Sequence, residues 1–425
     1  MEQQQTPSGR DRPAVLVLTH RVPYPPDRGD RLRAWRFIRL LAEVAEVDVA
    51  CFSDERSLDR ERLAPLYEKC RQVRIVQLGA ARWLRAAWSL ATGRSITEGA
   101  FSSPRLARAV RHWCSAKPYD AILAYCSSMF QYVPPATSAE RIVVDLVDAD
   151  SRKWDQLAQV SPFLRRWLYQ CEAKRLERLE RHIAERFPVT VVSNREAAVL
   201  RQWVPNACIQ VVRNGVDLEY FRPAKPCVDQ TPLDQPLRCV FVGVLDYEPN
   251  VDAVIWFVGN VWRAIRTRYP DARLSLVGKR PTAAIRNLAG RDGIELYADV
   301  PDVRPFVWQA HVSIAPLRIA RGVQNKVLEA MAMGRSVVAS PVALEGIDPP
   351  EAPPAVEAQS PSEWIAAVAR LLDDPSYRRR LETEGRAFVE RYYDHRRCMQ
   401  PMVSLLLGDR CAEPTGKSAS PRVYT

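Results

Sequence analysis

Short apolar runs alternate with segments of helical period in two successive series along this chain, and a proline-rich break divides them. The first series opens with AVLVLT at residues 14–19, a continuous apolar run of the kind that forms a strand covered on both faces. A Pro-dense loop follows, and then residues 31–46 place Leu32, Trp35, Ile38, Leu41 and Ala45 on one helical stripe. Apolar runs recur at 47–52, 73–78, 120–125, 141–147 and 188–193. Strand, loop and helix repeated in this way predict a parallel, doubly wound α/β sheet. Residues 221–236 carry four prolines and read as a linker. The rhythm restarts at 238–243, 273–278, 293–298, 311–316 and 336–340, predicting a second parallel sheet.

The expected organisation is therefore a first Rossmann-like domain over 14–220, the linker, and a second over 237–384. Closing helices over 385–407, with a crossing back to the first domain as one course for them, and a disordered tail over 408–425 complete it. At 425 residues the chain is long enough for two cores. Two such sheets would face each other across a cleft, and ligands of open parallel sheets sit at the carboxyl ends of strands. Loops that follow strands are accordingly where chemistry is expected.

Lys and Arg number 61 against 50 Asp and Glu, so anionic partners are favoured. Residues 171–186 interleave basic residues with Glu at helical spacing, which predicts a solvated, salt-bridged face rather than a nucleic-acid surface. The ten cysteines form no C-x-x-C pair and have no His at ligand spacing, so neither a zinc site nor a disulfide framework is expected. A polar start without an apolar core argues against a cleaved leader, and no run approaches the length of a membrane span. The expected setting is cytoplasmic. Residues 82–94 and 161–170 mix Trp, Leu and Phe with Arg, which fits either burial against the first domain or peripheral contact with an anionic membrane face.

The most informative loop precedes RGVQNKVLEAMAMGRSVVAS, residues 321–340. A helix starting near Gly322 would direct free N–H groups and its positive dipole end at a ligand, which suits a phosphate. Lys326 adds a full charge, Arg318 and Arg321 flank the entrance, and Glu329, on the face of Lys326, can take two vicinal hydroxyls. A plain exposed Lys326–Glu329 pair is the alternative. In the first domain, Gly29, Asp30 and Arg33 lie at a strand-to-helix turn, either as a site or as a loop-closing Gly with a capping Asp. Asp148 and Asp150, with Asp145 and Ser151, follow another strand, where carboxylates can orient a hydroxyl or cap a helix. His20 ends the first strand; His112 reads as a packed or surface residue.

This segment resembles the donor signature of the retaining, sugar-nucleotide-dependent glycosyltransferases of group 1 with the GT-B fold, whose pattern is E-G-F-G, a few residues, then L-E-A-M-A-x-G-x-P-V-V. VVRNGVDLEYFRP (211–223), VTVVSNREAAVLR and SLVGKRP resemble further family segments in the expected order. GVLDYEPNVDAVIWF and VDLVDADSRKW look closer to a bacterial subgroup tied to exopolysaccharide production alongside exosortase systems.

The resemblance implies that the second domain binds a nucleoside-diphosphate sugar through Gly322, Asn325, Lys326, Glu329 and Gly243, with Glu329 on the ribose. Gly29 would pass close to the diphosphate. Lys326, Arg321 and Arg318 would support the departing nucleotide. The first domain would hold a glycan or lipid-linked acceptor near Asp30, Arg33, Asp148 and Asp150. No metal or other cofactor is implied, and no nucleic-acid partner. Two departures stand out. Arg321 occupies the place of the family's first Glu, and Asp246 and Asn250 stand where an Arg/Lys pair commonly follows the first strand of the second domain. A family member that binds sugar nucleotide or glycan without transfer is the alternative reading.

Overall fold

The computed structural model describes residues 12–26, 29–55, 59–135, 141–159, 161–224, 236–320 and 322–408. The chain forms two compact units: one comprises the residues up to Val212 together with those from Met399 onward, and the other spans Arg213–Cys398.

The first unit is built on a parallel sheet of seven strands: β1 (Ala14–Thr19), β2 (Glu46–Ser53), β3 (Gln72–Gln77), β4 (Ala121–Tyr125), β5 (Arg141–Val147), β6 (Val189–Val191) and β7 (Ile209–Val211), in the order 3-2-1-4-5-6-7. Alternation along β1 shows why its run is apolar throughout. Val15 and Val17 enter one core with Phe37, Ile38 and Leu41, whereas Ala14, Leu16 and Leu18 enter another with Leu106, Ile122 and Val144. Strand order reverses about β1, which pairs with both β2 and β4, and loops diverge there at the carboxyl edge.

The second unit carries six parallel strands: β8 (Arg238–Val242), β9 (Arg273–Gly278), β10 (Ile294–Ala298), β11 (Val312–Ala315), β12 (Ser336–Ala339) and β13 (Val356–Glu357), in the order 10-9-8-11-12-13. Cys239 and Phe241 enter one core and Val240 another, so this sheet is also covered on both sides.

Sequence and structure differ at three places in this architecture. β7 and β13 are only three and two residues long, and neither corresponds to an apolar run read from the sequence. The boundary falls after Val212 rather than at 220. Val216 accepts from His395 N–H at 3.1 Å and packs with Phe388, Val389 and Tyr393, which draws this segment into the second unit. Gly215 is required there: at φ +39°, an added Cβ would stand 2.3 Å from the His395 Cα. Most of the expected linker, 225–235, and the expected tail beyond Gly408 lie outside the described residues. The closing helices also part company. Pro375–Tyr392 stays with the second unit, whereas His395–Leu407 carries the chain back to the first, where Met399, Met402 and Leu406 join a core.

Arg33, expected at an acceptor, is instead buried. Its guanidinium donates to both Asp145 carboxylate oxygens at 2.8 and 3.0 Å and to the Val212 carbonyl at 2.8 Å, and Thr190 Oγ1 donates to the same carboxylate. Burial opposes the charge on Arg33, and Asp145 more than offsets it, raising its pKa. The pair joins the helix Gly29–Val44 to β5, β6 and the end of β7. Asp145→Asn leaves that guanidinium buried without its counter-charge, so urea unfolding should show a loss of about 3–5 kcal/mol, largely recovered in Arg33→Met/Asp145→Leu.

Candidate functional site

At the carboxyl edge of the second sheet, the helix Asn325–Ala332 follows β11. It begins three residues later than expected, because Gln324 is extended at φ −83°, ψ 91°. Gly322 lies in the preceding turn at φ +62°, with its carbonyl against Gly346, where an added Cβ would approach to 2.3 Å. Lys326 is thus in the first turn of the helix.

Its ammonium donates to Asn250 Oδ1 at 2.7 Å and lies 4.3 Å from the centre of the Phe241 ring. Asn250, in the first turn of the helix Glu248–Phe257, has its amide fixed by donation from Nδ2 to the Val244 carbonyl at 2.9 Å. Gly243 leaves room for both groups: a Cβ there would stand 3.1 Å from Lys326 Nζ and 2.9 Å from Asn250 Nδ2. Part of the Lys326 side chain stays accessible. Burial of its ammonium, opposed by Glu329, pushes its pKa down to about 7. Asn325 Oδ1 is enclosed and finds no hydrogen-bond donor among the described residues.

The flanking arginines behave differently. Arg318 is held by both Asp252 oxygens at 2.8 and 2.5 Å, so its charge is matched. Asp246 is likewise paired with Arg280 at 2.6 Å. Arg321 lies outside the described residues. Phe241 and Asp252 were not singled out from the sequence. Phe241 stands two residues before Gly243, hence on the same side of β8, and this spacing was the available signal.

The carboxyl edge of the first sheet gathers most of the residues expected there. His20 stacks on Tyr125 at 5.7 Å and meets Phe101 edge-on at 5.6 Å. Its Nε2 is 3.4 Å from Asp30, which also accepts from Arg21 at 3.0 Å; its Nδ1 is enclosed without a partner among the described residues. Around Cys126, held at φ +73°, stand Asp30, Asp148 and Asp150, whose charges all raise the pKa of the already buried thiol.

Much of Asp148 is exposed, yet burial of its carboxyl, with Glu196 and Asp150 beside it, pushes its pKa up to about 6. Burial raises Asp150 too, with Lys153 and His20 opposing. Gly29 has no neighbour within reach of an added Cβ, and Arg33 lies in the core below. Ser151 is bonded through its backbone and hydroxyl to Glu180, a buried carboxylate pushed up to about 8. The expected salt-bridged face is present, with Arg181 donating to Glu177 at 2.6 Å, but Glu172 and Glu180 on the other side of the helix Phe163–Arg186 are wholly buried.

Residues 236–374, within the second unit, match the family model of the group 1 glycosyl transferases. Among solved structures, sucrose-phosphate synthase from Thermosynechococcus elongatus is similar at 20% identity and TM-score 0.66, covering 93% of this chain and 98% of that one. HepE from Anabaena, in complex with UDP-glucose, is similar at 14% identity and TM-score 0.61, covering 92% and 99%. WaaG, a glycosyltransferase involved in lipopolysaccharide biosynthesis, is similar at 15% identity and TM-score 0.62, covering 93% and 100%. No curated protein matches the chain. The fold is accordingly GT-B, with two Rossmann-like units.

An anion bound at Lys326 favours the charged amine and raises its pKa above the free value of about 7. Binding therefore takes up protons above that pH, and affinity falls as pH rises through it. Calorimetry with inorganic pyrophosphate in buffers of different ionisation enthalpy should register this uptake, and Lys326→Met should abolish it.

Proposed function

We propose that this chain is a retaining glycosyltransferase that moves a sugar, a hexose by preference, from a nucleoside-diphosphate donor to a glycan or lipid-linked glycan in bacterial exopolysaccharide synthesis. The observation that carries the reading is the Lys326 ammonium, held over Gly243 by a neutral acceptor at the first turn of a helix. Asn250 fixes the position of the charge without cancelling it. Arg318 already has Asp252, so the electrostatic support of the leaving group falls on Lys326, the helix amides and Arg321. The similar fold of HepE, in complex with UDP and with UDP-glucose, supports a nucleotide-sugar donor. The retaining course, the exopolysaccharide setting and the cytoplasmic location rest on the motif resemblance.

In the proposed step the bond from the anomeric carbon to the β-phosphate oxygen breaks, and its electron pair leaves with the nucleoside diphosphate. The acceptor oxygen bonds to that carbon, and the hydroxyl proton passes to the diphosphate. Glu329 holds the ribose hydroxyls, with Gly322, Asn325 and Gly243 lining the donor. Asp30, Asp148 and Asp150 serve the acceptor, and Gly29 gives the turn room. Activity should survive EDTA, because the charge support is assigned to Lys326 and backbone amides.

A panel of nucleotide sugars should raise the melting temperature for at least one donor, and nucleoside diphosphate should then be released in an acceptor-dependent way. Glu329→Gln should weaken donor binding roughly 10- to 100-fold, the range for a hydrogen bond to a charged group. Arg321→Glu should lower donor affinity and turnover; unchanged values would remove Arg321 from the mechanism. The Arg at 321, in place of the family's Glu, favours one second reading, a member that binds sugar nucleotide without transfer. Donor binding with no release under any acceptor would establish it.

A further inference from the structure

We propose that the first unit docks on an anionic lipid bilayer through the outward face of the helix Arg82–Ala91 and the first turns of the helix Phe163–Arg186. The Arg82 helix is seated the opposite way round from an ordinary surface helix. Its small residues, Ala86 and Ser89, face the body of the unit, while Trp83, Leu84 and Trp88 are 62%, 75% and 72% exposed. Close packing enforces this seating. The helix Ile96–Ala100 comes so near that a Cβ on Gly99 would stand 2.2 Å from Ser89 Oγ and 2.6 Å from the Arg85 carbonyl. Large side chains are thereby kept on the outside.

The second element is tied to the first. Arg175 donates to the Leu90 and Arg94 carbonyls at 2.8 and 2.9 Å, and the buried Glu172 accepts from the Ile96 and Thr97 amides at 2.6 and 2.8 Å. Two turns before that junction stand Trp167 and Phe163, the latter 88% exposed. At about 1.5 Å per residue, Trp88 and Trp167 both lie within roughly 12 Å of the junction along their helices.

Charge selects the partner. Residues 79–97 and 156–171 contain Arg82, Arg85, Arg94, Arg165 and Arg166 and no Asp or Glu, although Arg94 is paired with Glu98 just beyond at 3.0 Å. Indoles and aliphatic groups rimmed by arginine match the headgroup level of an anionic bilayer, where phosphates take the guanidinium groups. A second copy of this face would oppose Arg82, Arg165 and Arg166 to their own counterparts. No helix among the described residues is long and apolar enough to cross a membrane, so contact through this face is peripheral. The proposal is independent of the donor site.

The test is co-sedimentation of the full-length chain with vesicles of equimolar phosphatidylglycerol and phosphatidylcholine, and with vesicles of phosphatidylcholine alone. The chain should bind the anionic vesicles, less so as salt rises, and bind the neutral ones weakly. Trp83→Ser/Trp88→Ser, and separately Phe163→Ser/Trp167→Ser, should each lower partitioning about tenfold or more while leaving the melting temperature unchanged. Wild-type partitioning by both variants, equal binding to the two vesicle types, or self-association that the variants abolish without any vesicle binding would each overturn the proposal.

Discussion

An ammonium drawn out of water, bonded to a neutral oxygen, set against an aromatic face and only partly compensated by the Glu329 carboxylate, is the feature on which the site in the second unit depends. Lys326 could have been silenced by a carboxylate, as Arg318 is by Asp252 and Arg280 by Asp246. It is met instead by Asn250 Oδ1 and the Phe241 ring. Desolvation without full compensation is costly, and the depressed pKa is the visible sign of that cost. Gly243 and the Val244 carbonyl serve the same end, one by leaving space and the other by fixing the amide that receives the charge.

The first unit solves a complementary problem. Its carboxyl edge collects acidic groups, and burial, with Glu196 and Asp150 beside it, raises the pKa of Asp148 to about 6. Such an edge is suited to hydroxyl groups rather than to phosphates. The buried Arg33–Asp145 pair beneath it joins one helix to three strands and keeps the loops above in register.

The sequence made the sheets legible because parallel strands covered on both faces must be apolar at every position, and ten or more such runs at regular spacing leave little choice of fold. β7 and β13 are short and lie among polar residues and prolines, so they escaped, whereas β6, as short as β7, sits within the longer apolar run 188–193. Arg33 was misread because a charged residue at a strand-to-helix turn looks the same whether it faces solvent or a carboxylate in the core. Periodicity shows that a helix has an apolar stripe but not which way the stripe points; Trp83 and Trp88 were undecidable for that reason. Lys326 and Gly243 were both named as donor residues through the motif resemblance, whereas the Asn250 contact joins residues 76 positions apart and needed the fold.

Because the chain leaves the first unit after Val212 and rejoins it at Met399, the second unit is an insertion rather than a sequel. Its entry and exit strands run together, Val216 pairing with Asp394 as neighbours in a parallel bridge. A module whose two ends meet about one strand spacing apart can be lifted from one host and set into another with little change to either. Recombination can thus vary the half that carries Lys326 while conserving the half that carries the arginine-rimmed tryptophans.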